Sequence, residues 1–137
     1  MQTPQSSFFT RPRANEGIEV PLSLPDGTPT EHKLRILGVD SDVFRTEEAA
    51  SRQRMLEAAS SKEGIAKFDH QAERVRLVAC LVSSWSFEQP CTPENVQAFL
   101  REAPQIMDAI DKVAANRRAF FKVSSNSSSD TPSASSS

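Results

Sequence analysis

Between Gly17 and Asp40 apolar and polar positions alternate: Ile18, Val20, Leu22 and Leu24 are separated by Glu19, Pro21 and Ser23. A period of two describes a strand with one buried face. Pro21 has no N–H for a ladder hydrogen bond, so this strand must lie at a sheet edge or hold that position outward. Pro25-Asp26-Gly27-Thr28-Pro29 reads as a turn, because proline presets φ and glycine accepts a positive φ. Lys33–Val39 predicts a second strand with Leu34 and Ile36 on one face. Together these segments predict a β-hairpin, which is marginal alone and needs helices to cover it.

No proline occurs between Thr30 and Gln89, which permits long helices. Asp40-Ser41-Asp42 supplies N-cap oxygens and negative charge for a helix from about Asp42 to about Ser60. Its apolar contributions are Val43, Phe44, Met55, Leu56 and Ala59, and Ser60–Gly64 breaks it. A second helix is expected from about Ile65 to Trp85, with Phe68, Ala72, Val75, Ala79 and Val82 at spacings of three and four. Val75, Leu77, Ala79 and Leu81 also alternate, so a strand competes there; the length and the charged first half favour a central buried helix. Thr92-Pro93-Glu94 is a helix start, with threonine as N-cap, proline at N1 and glutamate facing the dipole. The third helix runs to about Glu102 with Val96, Phe99 and Leu100 inward. Pro104 opens a fourth, to about Lys122, which buries Met107, Ile110, Val113 and Ala114 with Ile106 flanking. The expected fold is α+β and mainly α: an N-terminal β-hairpin packed on about four helices, between disordered termini.

The 137 residues suit one domain over residues 17–122. Residues 1–16 read as a flexible arm whose feature is the aromatic pair Phe8-Phe9. Residues 123–137 are dominated by serine and bury too little apolar surface to offset their ordering entropy, so they read as a disordered tail. The formal charge of −2 lacks the basic excess of a nucleic-acid binder. The longest apolar run, Leu77–Val82, is far short of a membrane span, and Met1-Gln2-Thr3-Pro4 has no signal-peptide character. Cytoplasm is the default expectation.

Little catalytic chemistry is legible. Asp40-Ser41-Asp42 fails as a calcium loop because the twelfth position would need a glutamate and holds no acid. Cys80 and Cys91 lack CxxC spacing and lie far in sequence from His32 and His70; one reads as a core thiol, the other as a loop thiol. No glycine-rich phosphate loop exists, so no cofactor, no metal and no enzymatic activity are expected. Arg117, Arg118 and Lys122 suit the end of a helix better than a nucleic-acid contact. Trp85 has two readings, a plug for the core or an aromatic anchor for a partner.

Leu24–Pro29, Leu34–Gly38 and Asp40–Arg45 resemble the N-terminal half of the tail assembly chaperones of long-tailed bacteriophages. Leu81–Trp85, Pro90–Leu100, Ala103–Ile106 and Phe120-Phe121 resemble the C-terminal half, so that the likeness covers about residues 18–122. The order of features carries it: hairpin, Gly-x-Asp-Ser, a tryptophan, a Thr-Pro-Glu-Asn helix start and a proline-started last helix. The resemblance implies a protein of the host cell cytoplasm, absent from the mature virion, that coats the tape measure protein and keeps it soluble while tail tube subunits polymerise. It also implies, in many such phages, a frameshifted longer form that recruits tail tube protein. The family carries no shared active-site residues. Type and position nominate Trp85, Phe87, Phe99, Phe120 and Phe121 as partner contacts, with self-association adding avidity. A small phage or bacterial regulatory adaptor that recognises DNA or another protein is the alternative.

Overall fold

A computed structural model of the chain describes residues 2–121. A 3₁₀ turn, Gln5–Phe8, precedes α1 (Arg11–Glu16), β1 (Ile18–Ser23) and β2 (Pro29–Ile36). Then come α2 (Asp42–Ala58), α3 (Lys62–Lys67), α4 (His70–Ala79), β3 (Val82–Trp85), α5 (Pro93–Glu102) and α6 (Pro104–Ala115). The protein is α+β and mainly α, as the periodicities predict.

The hairpin forms where the alternation places it. β1 and β2 pair antiparallel, Ile18 opposite Ile36 and Pro21 opposite Lys33. β1 is an edge strand, the position that Pro21 requires. In the turn Gly27 has φ 93°, its N–H donates to the Leu24 carbonyl at 2.8 Å, and Asp26 Oδ1 accepts the Thr28 N–H at 2.9 Å.

The expected helix over Ile65–Trp85 is overturned. Asp69 caps a new helix by accepting the Ala72 N–H, α4 stops at Ala79, and Val82–Trp85 extends beside β2 as a third strand. Leu34 lies opposite Trp85 and Ile36 opposite Val82, giving the sheet order β1-β2-β3. The physical reason is the second edge of β2. A two-stranded hairpin leaves that edge unpaired, and pairing it satisfies backbone groups on both sides, including Leu37 N–H to the Leu81 carbonyl at 2.8 Å. Over residues 77–82 the side chains are apolar on either period, so this backbone pairing decides.

Helices α4, α5 and α6 cover the sheet face that carries Leu34 and Ile36. The core joins these two to Val75, Val78 and Leu81, to Val96 and Leu100, and to Met107, Ile110 and Ala114. Val113, Ile106 and Phe99 are half-buried around it. The last helix stops earlier than expected, at Ala115; a further helical segment covers 117–121. Lys122 and the serine-rich segment 123–137 lie outside the described residues.

α2 departs from its expected role. It buries no residue, and Val43, Met55 and Leu56 are exposed. Phe44 alone of its expected apolar residues packs half-buried against the core, and charge adds to the hold. Arg54 bridges Glu47 at 2.9 Å and Glu73 of α4 at 2.8 Å, and Ser51 donates to Glu73 at 2.9 Å. Ser60–Gly64 also does more than break a helix, since Ser61 caps α3.

The N-terminal arm is corrected too: part of it belongs to the fold. In α1 Ala14 is buried, its carbonyl accepts the Gly38 N–H at 3.0 Å, and Asn15 Oδ1 accepts the Asp42 N–H at 2.8 Å. Arg11 Nε donates to Asp42 Oδ1 at 2.6 Å. Gly38 permits this approach, because a Cβ there would stand 2.9 Å from the Ala14 Cβ. The domain therefore begins near Thr10.

Asp40 ties the ends of this unit together. Its carboxylate accepts Arg117 Nε at 2.6 Å and Arg117 Nη2 at 2.8 Å, and Arg45 Nη2 at 3.1 Å. The hydrogen bonds from Arg117 hold its pKa far below the usual carboxylate range; burial opposes this, while Thr10 and Arg45 add to the lowering. A depressed folded-state pKa stabilises the fold above the unfolded value of about 4 and ceases to do so as pH falls through the folded value. Arg117 is half exposed, which limits the contribution. Asp40→Asn should therefore cost about 1 kcal/mol at pH 7. In urea unfolding between pH 6 and pH 2, the gap from wild type should narrow below about pH 4; parallel stability curves would refute the role given to Asp40.

Candidate partner-binding groove

Three of the five nominated residues meet at one place. The register sets Trp85 opposite Leu34, Phe87 follows two residues later, and α5 brings Phe99 against both. Ring centroids lie 5.2 Å apart for Trp85–Phe87, 5.8 Å for Trp85–Phe99 and 5.2 Å for Phe87–Phe99. Trp85 meets both phenylalanines edge-on, the arrangement that aromatic quadrupoles favour. The indole N–H donates to the Gln89 carbonyl at 2.7 Å, which folds the 86–90 loop back over the ring. All three rings are half-buried; Phe87 and Phe99 line the groove and Trp85 packs against both without lining it.

Phe87 and Phe99 line a groove of about 360 Å³ between the hairpin turn and the α5–α6 junction. Leu22, Leu24, Ala103 and Ile106 supply further apolar walls, and His32 and Glu102 are its ionisable members. His32 stacks on Phe87 with centroids 4.4 Å apart, and its Nδ1 lies 3.0 Å from Ser86 Oγ. Ser86 Oγ also accepts the Lys33 N–H at 2.9 Å, and the Ser86 N–H donates to the Lys33 carbonyl at 3.1 Å. Ser86 and His32 thus lock the loop after β3 onto β2. With Glu31 Oε2 3.5 Å from His32 Nε2, the three form a serine–histidine–carboxylate series. The serine oxygen is nevertheless engaged by a backbone N–H, and Glu31 is solvated.

The remaining nominated pair lies elsewhere. Phe120 is buried, 3.3 Å from a Cβ built on Gly38, so it fills core beneath α1. Phe121 is half-buried, with the Arg13 guanidinium 5.2 Å above its ring. Neither belongs to the groove, and Phe120 has no surface for a partner. Sequence reading missed Leu24, His32 and Ile106, which carry no aromatic signal of interface type and are joined only by the hairpin's approach to α6. Leu24 did carry a clue: it prolongs the apolar alternation of β1 into the turn, where nothing buries it.

A second cavity, of about 480 Å³, lies between α2, α4 and α5 and is lined by Val43, Val82, Val96 and both cysteines. Its thiols are poor nucleophiles. Burial, with the charge of Glu47, pushes Cys80 up to about 12, and burial also raises Cys91. The Cys80 thiol donates to the Leu77 carbonyl at 3.0 Å. Among the described residues no group of three or more histidine, cysteine or acidic side chains is placed to hold a metal ion. None of the helices described there is long and apolar enough to cross a membrane.

Comparison with protein-family models, with curated proteins and with solved structures found no match.

Trp85 is the only tryptophan, so its emission reports on the groove. Phe87→Ala should open the indole to water and shift its emission to the red, with the circular dichroism unchanged. An unshifted spectrum would show that Phe87 does not shield Trp85.

Proposed function

We propose that this chain is a tail assembly chaperone of a long-tailed bacteriophage. It binds the tape measure protein through the aromatic groove and keeps it soluble in the host cytoplasm while tail tube subunits polymerise. The observation that carries the reading is the groove itself: an open, nearly uncharged cleft walled by Phe87, Phe99, Leu22 and Ile106, on a small domain. Exposed apolar surface rimmed by polar residues marks sites where a partner or ligand docks. Aromatic side chains held by their neighbours bind at low entropic cost, which suits repeated weak contacts along an elongated apolar client. Some of the motifs that resemble the family line this cleft, namely Leu24 and Pro25 of the turn, Phe99 of the Thr92-capped helix, and Ala103 and Ile106 at the Pro104 helix start; Asp40–Arg45 and Phe120-Phe121 lie at the other end of the domain. Recruitment of tail tube protein belongs to the same reading, through a longer form of the chain.

Co-expression with the neighbouring phage tape measure protein tests it. Wild-type protein should move the client from the insoluble to the soluble fraction. Leu24→Glu, at the exposed groove wall, should lower the soluble yield several-fold while the variant itself stays folded. A client equally insoluble with and without the wild-type chain would defeat the chaperone reading.

A further inference from the structure

Phe8 and Phe9 are 74% and 56% exposed and sit in a segment, residues 2–9, that buries nothing. No residue from 2 to 10 carries a charged side chain. An uncharged aromatic pair calls for an apolar, nearly uncharged acceptor, and the groove at Phe87 and Phe99 is one. The exposed apolar residues of α2, Val43, Met55 and Leu56, differ in being interspersed with Arg45, Glu48, Arg52 and Glu57.

The pair does not reach the groove of its own chain. Thr10 and Arg11 are fixed, the first by its carbonyl to the Ala14 N–H at 3.0 Å, the second to Asp42 at 2.6 Å. Phe9 stands two residues before Arg11, at most about 7 Å of chain. α1 packs on Gly38, whereas the groove lies beside Thr30 and His32, roughly 20–25 Å back along β2. α6 runs between the same two places: Ile106 at its start lines the groove, and about 12 Å on, Ala114 at its end accepts the Val39 N–H at 3.1 Å beside α1. Arm and groove occupy opposite ends of the domain.

We propose that Phe8 and Phe9 of one copy dock into the Phe87–Phe99 groove of a second copy. The contact joins two different surfaces, so it is head-to-tail and leaves a free arm at one end of the pair and a free groove at the other. Repetition builds an open string of copies in which every groove but the terminal one is filled, so that arm and client compete for the same site. The inference rests on the groove as a protein-docking site and is independent of the client's identity.

Light scattering on the purified full chain, across a concentration series and without client, tests it. The weight-average mass should rise above the monomer's 15.1 kDa without settling at a fixed stoichiometry. The Phe8→Ala/Phe9→Ala double variant should stay monomeric, and so should Leu24→Glu, whose substitution lies at the exposed groove wall. An equimolar mixture of the two should form a two-chain species and nothing larger, because one supplies only the groove and the other only the arm. A monomeric wild type, assembly that survives loss of Phe8 and Phe9, or a mixture that stays monomeric would each overturn the proposal. Client solubility, read separately, distinguishes this failure from failure of the groove. A Leu24→Glu variant that loses the client while wild type remains monomeric sinks the assembly alone.

Discussion

A two-stranded hairpin leaves one edge of its inner strand with unpaired N–H and C=O groups, and in this chain closing that edge of β2 organises everything else. β3 closes it with only four residues, Val82–Trp85. To supply them the chain must end α4 at Ala79 and turn through Cys80 and Leu81. The exchange is favourable because Val82 and Leu81 remain buried while backbone groups on both strands gain partners. The helices then cover one face of a three-stranded sheet, where Leu34 and Ile36 lie at the centre of the core.

The candidate site is a by-product of the same pairing. With Trp85 opposite Leu34, the chain leaves β3 toward α5, and Phe87 lands between His32 and Phe99. Had residues 75–85 remained helical, Trp85 and Phe87 would not face the hairpin turn. The groove thus joins a turn, a loop and a helix junction that are distant in sequence and adjacent only through the sheet.

The opposite end of the domain is held chiefly by polar contacts. Asp40 draws in Arg45 and Arg117, and Asp42 draws in Arg11 and Asn15. Around them Ala14, Gly38 and Phe120 pack closely enough that a Cβ at Gly38 would collide. This anchoring makes α1 part of the fold and leaves Phe8 and Phe9 outside it. It also separates the tight aromatic pair Phe120-Phe121 from any role at the groove.

Local signals determined much of this protein. Proline and glycine chemistry located the turn, the Thr92-Pro93 and Ala103-Pro104 helix starts and the edge position of β1; spacing located the buried faces of α5 and α6. These features depend on interactions within a few residues, so they are legible in one dimension. The tertiary structure decided three things that are not: β3 in place of a long helix, the inclusion of α1, and the separation of Trp85, Phe87 and Phe99 from Phe120 and Phe121. Residues 77–82 are apolar on either period, so only the unpaired edge of β2 discriminates between helix and strand. α1 is short and polar, and its place rests on a glycine 24 residues beyond Ala14 and an aspartate 31 beyond Arg11. A phenylalanine looks the same in sequence whether it will line a cleft or fill a core; which of the two it does depends on what the fold lays over it.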